Sequence, residues 1–282
     1  MQLSLGFSPC PNDTFIFDAM VHGKVDTEGL GFRIRLDDVE ALNRAAFRQE
    51  LDITKLSYHA FAYLSDRYEL LDAGSALGKG CGPLLIARKA LDRGEIRKAK
   101  VAIPGQYTTA HFLFRLAFPR NANKVNMVFS EIEGAVAEGS VDAGVIIHEN
   151  RFTFAQRGLV ECLDLGAYWE ESTGFPIPLG GIAVRRSLPG EVKARVNRIM
   201  KASVRYALSH PGSADAFVRQ HAQEMELDVM RKHIALYVNA FTEDIGSEGK
   251  RAVHHLFRVA RELDLVPGAR HNIFLAENLK GV

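Results

Sequence analysis

A two-lobed α/β protein is predicted by three features of the sequence. Strand-length apolar runs alternate with amphipathic stretches from the N-terminus onward. One helix-to-strand junction occurs twice: Ala45-Ala46-Phe47-Arg48-Gln49-Glu50-Leu51-Asp52-Ile53 and Ala135-Val136-Ala137-Glu138-Gly139-Ser140-Val141-Asp142-Ala143 share a helix end, a small or polar turn, an apolar residue followed by aspartate, and an apolar strand, at an offset of 90 residues. From Pro189 onward the apolar spacing becomes helical.

Leu3 to Phe7 reads as the first strand, followed by the turn-rich loop Ser8-Pro9-Cys10-Pro11-Asn12-Asp13-Thr14. The prolines stiffen this loop, and Asn12, Asp13 and Thr14 offer oxygens to cap the next helix, their main expected job, or to bind a polar ligand. Phe15, Phe17, Ala19, Met20 and Val21 form that helix, which ends near Gly23. A second strand spans Phe32 to Leu36, a capped helix begins at Asp37-Asp38-Val39-Glu40, and a third strand lies in Leu51 to Ser57. The β, α, β, α, β order predicts a parallel sheet.

Further strands are expected in Leu70 to Gly74 and Pro83 to Arg88. The run between them, Gly78-Lys79-Gly80-Cys81-Gly82, suits a hinge or a tight crossing. The strand Lys100 to Pro104 opens into Gly105-Gln106-Tyr107-Thr108-Thr109-Ala110, and a helix continues through Phe112, Leu113, Leu116 and Ala117. A short apolar run ending Val145-Ile146-Ile147-His148 gives a buried strand, and Leu179 to Arg186 restores the strand pattern. Helices carrying Val192, Val196, Ile199, Met200 and Val253, Leu256, Phe257 should pack on the first lobe. The expected division is residues 1–88 with 185–282 as the first lobe and 89–184 as an inserted second lobe.

Composition narrows the class. At 282 residues the chain can bury a large core, with which its 17 phenylalanines agree. Lysine and arginine number 35 against 34 acidic residues, so no basic field points to nucleic acid, and with a strand opening the sequence a DNA-binding helical module ahead of it is not expected. No apolar segment approaches the roughly 20 residues that span a bilayer. The N-terminal stretch lacks a basic region followed by a long apolar run, so a cytoplasmic protein is expected. Three widely spaced cysteines, Cys10, Cys81 and Cys162, fit neither a disulfide framework nor a paired metal-ligand pattern.

His148 carries the strongest chemical signal. Strand ends in open α/β sheets are where ligands sit, and imidazole can take a proton near neutral pH without extreme tuning. The alternative is a histidine that closes a strand and bonds backbone. The Gly105 to Ala110 turn joins a strand to a helix start, where N–H groups and the Thr108 and Thr109 hydroxyls favour an anion such as a carboxylate; either threonine can instead serve as a cap. Lys55-Leu56-Ser57 puts a cation and a hydroxyl at another strand end, although Lys55 can equally be a solvated or paired lysine.

Several motifs are excluded. His148-Glu149-Asn150-Arg151-Phe152 lacks the second histidine of a zinc-protease helix, and Gly74-Ser75-Ala76-Leu77-Gly78-Lys79-Gly80 lacks the spacing of a phosphate loop. His254-His255, Met225 and Met230 fall in expected helices without a ligand set. No metal or cofactor is expected.

Five separated segments in order, Gly6-Phe7-Ser8-Pro9-Cys10-Pro11-Asn12-Asp13-Thr14-Phe15, Thr54-Lys55-Leu56-Ser57-Tyr58, Thr108-Thr109-Ala110, Ile146-Ile147-His148-Glu149 and Tyr237-Val238-Asn239-Ala240-Phe241, resemble the 1,4-dihydroxy-6-naphthoate synthase family of menaquinone biosynthesis by the futalosine pathway. The resemblance spans nearly the whole chain. It implies a periplasmic-binding-protein type II-like fold with a ligand cleft between lobes, and a lyase acting on a small-molecule carboxylate, cyclic dehypoxanthine futalosine, to give 1,4-dihydroxy-6-naphthoate and dihydroxyacetone. Carried over by motif, His148 is the proton acceptor, and Lys55, Leu56, Ser57, Thr109 and Ala110, with Thr108 beside them, line the substrate. The resemblance implies no redox cofactor or metal, because the electrons stay within the substrate. Two other readings share the fold: a chorismate-dehydratase-like enzyme of the same pathway and a non-catalytic solute-binding protein. Oligomeric state leaves no mark in the sequence.

Overall fold

The structure is a computed structural model that describes residues 1–222, 226–266, 270, 272–275 and 277. Met225 lies outside them. In chain order the elements are β1 (Gln2–Phe7), α1 (Pro11–Val21), β2 (Gly31–Leu36), α2 (Val39–Phe47), β3 (Ile53–Ser57), α3 (Tyr58–Leu64), β4 (Tyr68–Leu70), β5 (Ala76–Gly78), β6 (Leu84–Ala87), α4 (Arg93–Lys98), β7 (Val101–Ile103), α5 (Thr109–Ala117), β8 (Lys124–Asn126), α6 (Phe129–Glu138), β9 (Ala143–Ile146), α7 (Asn150–Thr153), β10 (Val160–Asp164) and α8 (Leu165–Thr173). They continue with β11 (Ile177–Arg185), α9 (Gly190–Ser209), α10 (Asp215–His221), α11 (Leu227–Tyr237), α12 (Ala240–Glu243) and α13 (Gly246–Glu262).

Two compact units result, Met1–Leu77 with Pro178–Val282, and Gly78–Ile177. The crossings therefore fall earlier than the 88/89 and 184/185 boundaries read from the sequence. The reason is strand pairing. The β6 strand, expected in the first lobe, is antiparallel to β9 and β10 of the second unit, while β11, expected in the inserted lobe, pairs with β3 and β4 of the first. Apolar runs show that a strand is buried but not which sheet buries it.

The sheet of the first unit has the order β2-β1-β3-β11-β4, with β5 beside β11. Its β1, β2 and β3 are parallel, as the alternating elements predicted, and β11 runs antiparallel to β3. The second sheet has the order β10-β6-β9-β7-β8, again with three parallel neighbours (β9, β7, β8) and an antiparallel strand beside β9. Each unit thus repeats one layout, and the sequence echo marks equivalent points in it. Asp52, just before β3, donates its N–H to Ser4 O (3.2 Å) and accepts from Ser4 N (2.9 Å). Asp142, just before β9, donates to Lys100 O (2.9 Å) and accepts from Lys100 N (2.8 Å). In both places an aspartate locks the start of one parallel strand to its neighbour, a two-bond brace an apolar residue could not make.

Burial of apolar side chains fixes each layer. In the first unit, Leu3, Leu5 and Phe7 of β1 pack with Phe15, Ile16, Phe17 and Met20 of α1 and with Val196, Ile199, Met200 and Val204 of α9. Phe7 and Phe17 stack at 4.3 Å. The second unit closes over Leu84, Ile86, Ala102, Ile132, Val136 and Ile146.

Two local expectations need correction, and a third is decided. The α1 helix starts at Pro11 rather than after Thr14, because proline at the first helical position loses no bond and the N–H groups of Asp13 and Thr14 already reach Cys10 O (3.1 and 3.0 Å). The strand expected in Leu70 to Gly74 is displaced to Tyr68–Leu70, since Gly74 takes φ +88 in the turn that follows. In the glycine-rich run, Gly82 makes a tight crossing: a Cβ there would lie 2.2 Å from Gly166 Cα. None of the three cysteines forms a disulfide. Burial pushes the Cys81 thiol up to about 12, which keeps it protonated and unreactive at neutral pH.

Candidate active site

In the first unit the chain leaves β1 toward β2 on one side and pairs β1 with β3 on the other, so the switch point of the sheet lies at the carboxyl ends of β1 and β3. Polar side chains converge there. Lys55, near the end of β3, donates from Nζ to Asp13 Oδ1 at 2.7 Å, with side-chain exposures of only 8% and 1%. Asp13 Oδ1 also accepts from Asn12 Nδ2 (2.9 Å), and Oδ2 accepts from Ser8 N (3.2 Å) and Ser8 Oγ (2.8 Å). Four donors therefore fill a carboxylate that has room for about four.

This overturns the capping role expected of Asp13. The N-cap of α1 is Cys10, without a side-chain cap bond, and Asp13 uses its place in the first turn as a counter-charge. Lys55 is accordingly a buried, paired lysine. Asp13 takes one of its three N–H bonds, and among the described residues no other protein acceptor is bonded to it.

Ser57 ends the same strand. Its Oγ accepts from Asn43 Nδ2 (3.2 Å) and its N–H donates to Asn43 Oδ1 (3.0 Å), so one α2 side chain clamps it and its own hydroxyl proton is left to donate. Between them Leu56 is fully buried, and its carbonyl faces β11. Two glycines make room there: a Cβ at Gly180 would lie 2.7 Å from Leu56 O and 3.4 Å from Lys55 Cε, and one at Gly181 would lie 3.0 Å from the Tyr58 hydroxyl. Tyr58 bonds Ser75 Oγ at 2.7 Å, and burial raises its phenol pKa so that it stays protonated. Gly180→Ala is expected to lower stability by about 1–3 kcal/mol, because the obstacle is backbone. Urea denaturation checks this, and an unchanged midpoint would show that β11 can shift freely.

The second unit holds the other predicted residues at equivalent strand ends. After β7, Gly105 takes φ +141 and Thr108 becomes the N-cap of α5, accepting from His111 N (3.2 Å) while its hydroxyl donates to Gly105 O (2.9 Å). Of the two roles open to Thr108, the cap is filled. Thr109 and Ala110 follow at the first helical positions, both buried.

His111 stabilises this loop. Its Nδ1 lies 2.8 Å from Gln106 O, and because a carbonyl only accepts, Nδ1 carries the proton. Burial lowers its pKa to about 4, against a smaller opposing effect of that bond. An unfolded histidine binds a proton near pH 6.5, so between about 6.5 and 4 the unfolded state holds the extra proton. Stability is then fully present above about pH 6.5 and falls by roughly 3 kcal/mol as the pH drops to about 4. His111→Asn, which keeps a donor near the Nδ1 position, should flatten that slope in urea titrations at pH 7 and 4.5; an identical slope would assign it to other groups.

His148 follows β9 and is one of few non-glycine residues with positive φ, at +62. Left-handed backbone costs an L-residue about 1–2 kcal/mol, so the surrounding turn holds it there. Its ring meets Phe129 of α6 at 5.0 Å and 71°, edge to face. One turn along α6, Glu133 is buried beside Arg157 (3.3 Å) and Asn150; burial raises its pKa against the pull of both. The α6 helix therefore contacts the His148 turn through two side chains.

The predicted residues thus divide between the units: Lys55, Leu56 and Ser57 form one cluster at the end of β3 in the first, while in the second Thr108, Thr109 and Ala110 follow β7 and His148 follows β9. Asn43 and His233, which also belong to the β3 cluster, escape sequence reading. Tyr237-Val238-Asn239-Ala240-Phe241 proves to be a turn in which Asn239 caps α12 and donates to Leu77 O at 2.9 Å.

The sequence pattern of a protein family described as menaquinone biosynthesis matches residues 3–262. The chain belongs to this family. It is 46% identical over 273 residues to 1,4-dihydroxy-6-naphtoate synthase of Thermus thermophilus, covering 97% of this chain and 99% of the relative. A crystal structure of a protein from Archaeoglobus fulgidus superposes with a TM-score of 0.89 at 35% identity, covering 94% of this chain and 98% of that one. The alkanesulfonate-binding protein of Xanthomonas axonopodis pv. citri, solved with MOPS, reaches a TM-score of 0.73 at 11% identity over 98% of this chain and 97% of its own. That last likeness shows the fold alone, that of periplasmic binding proteins. Among the described residues of this menaquinone-biosynthesis protein, no helix is long and apolar enough to cross a membrane.

Proposed function

We propose that the protein is a cytoplasmic 1,4-dihydroxy-6-naphthoate synthase, a carbon-carbon lyase that converts cyclic dehypoxanthine futalosine to 1,4-dihydroxy-6-naphthoate and releases dihydroxyacetone. The observation that carries this reading is the 46% identity to the Thermus synthase across 97% of the chain. The chemistry of these residues supports it.

His148 takes the proton next to a substrate ketone, leaving an enolate; its electrons return into the ring as the carbon-carbon bond breaks and the ring aromatises, and the three-carbon fragment leaves with the bonding pair and takes the proton back from His148. Such a step needs a base and donors for the negative oxygen. His148 supplies the first. Lys55 and Ser57 supply the second: the Lys55 ammonium keeps N–H groups beyond the one given to Asp13, and the Ser57 hydroxyl, which accepts from Asn43, keeps its own proton to donate to a substrate oxygen. Thr109 and Ala110, at the start of α5, favour the substrate carboxylate through backbone N–H groups and the helix dipole.

The discriminating experiment gives the purified protein cyclic dehypoxanthine futalosine and chorismate in separate incubations. Formation of 1,4-dihydroxy-6-naphthoate from the first and no change in the second supports the synthase. Dehydration of chorismate, or tight binding without turnover of either, replaces it with the related dehydratase or a solute-binding protein.

A further inference from the structure

We infer that His233, acting through Asn12, is a positioning residue that holds Lys55 in its donating orientation. This inference rests on the reading that Lys55 touches the substrate. His233 lies on α11, is fully buried, and places Nε2 at 2.8 Å from Asn12 Oδ1. The direction of each bond follows from chemistry. Asp13 is a carboxylate that accepts, so the Asn12 atom 2.9 Å from it is the amide nitrogen, and the atom facing His233 is the amide oxygen. That oxygen also only accepts. His233 Nε2 therefore carries a proton and donates it.

The result is a directed chain: imidazole N–H to the Asn12 oxygen, Asn12 N–H to Asp13, and the Lys55 ammonium to the same Asp13 oxygen. Every proton points toward one carboxylate, so each bond polarises the next in the same sense. Without the His233 donor the amide of Asn12 loses the contact that fixes its orientation. Turned over, it would set an oxygen against the Asp13 carboxylate, and Asp13 would move away with Lys55 following. A residue 221 positions along the chain from Asn12 thus governs the aim of a lysine on β3. The location makes mechanical sense, since α11 packs on α1 through Met230, and the His233 ring rests against Tyr237 at 4.6 Å.

The test compares His233→Met, which removes the donor, with His233→Gln, which keeps an N–H at a similar reach. Two readouts are taken: acylation of Lys55 in the ligand-free protein by an amine-reactive reagent, followed by peptide mass spectrometry with Lys100 as internal reference, and turnover of cyclic dehypoxanthine futalosine. His233→Met should raise Lys55 labelling relative to Lys100 by about tenfold and lower turnover by about tenfold or more, while His233→Gln stays near wild type in both. If His233→Met does not fold, Asn12→Leu breaks the same chain and should give the same labelling result. Equal losses in the Met and Gln variants, or wild-type labelling in a folded His233→Met, overturn the inference. Should the wild type fail to turn over the substrate, the functional reading fails, yet the labelling comparison still decides whether His233 controls Lys55.

Discussion

Asp13→Ala is expected to remove about 3–5 kcal/mol of unfolding free energy, because it leaves the Lys55 ammonium buried without its counter-charge. Few single changes in this chain should cost more. Lys55 is 6% exposed and bonds Asp13 at 2.7 Å, and the same carboxylate also gathers Ser8 and Asn12, so its removal leaves one cation and three further donors without their acceptor. Most of that loss should return in Asp13→Ala/Lys55→Met, where no unpaired charge stays buried, although turnover should not return with it. Urea unfolding of the two variants separates the outcomes. A single variant within about 1 kcal/mol of wild type would mean that water reaches Lys55 and solvates it.

His148→Ala carries the second large effect, in activity rather than stability. General-base catalysis is worth roughly 10²–10⁴ in rate, so turnover should fall by about that factor. Its side chain is only half-buried and its ring meets Phe129 edge to face, so stability should stay within about 1 kcal/mol of wild type. Asp13 is chiefly a matter of burying charge, and His148 chiefly a matter of chemistry.

The parts legible in the sequence are those with local signatures. The aspartate before each repeated strand could be seen because Asp52 and Asp142 sit at the same point of the same helix-to-strand junction, and both form the same two-bond brace. The start of α2 was plain from Asp38, which accepts from the N–H groups of Glu40 and Ala41. His148, Lys55 and Thr108 stand out because each lies near the end of a strand-like run or in the turn just after one.

What stayed hidden depends on pairing over long sequence separations. Nothing near Asn12 announces a partner at His233, and nothing near Ser57 announces Asn43, which occupies an ordinary polar-looking position on α2. Capping is the local option for the residue types of Asn12-Asp13-Thr14; for Asp13 the tertiary option, neutralising Lys55, prevails because β3 lies beside β1. Sheet membership of β6 was hidden for the same reason. Its apolar run fits either sheet, and only its pairing with β9 and β10 decides.

His148 acting as the base of a carbon-carbon cleavage can be checked by incubating wild type and His148→Ala with cyclic dehypoxanthine futalosine, following 1,4-dihydroxy-6-naphthoate by mass spectrometry with folding and substrate binding measured in parallel. Wild type should form the product, and a folded variant that still binds should lose about 10²-fold or more. Equal turnover by both proteins would take the role of base away from His148.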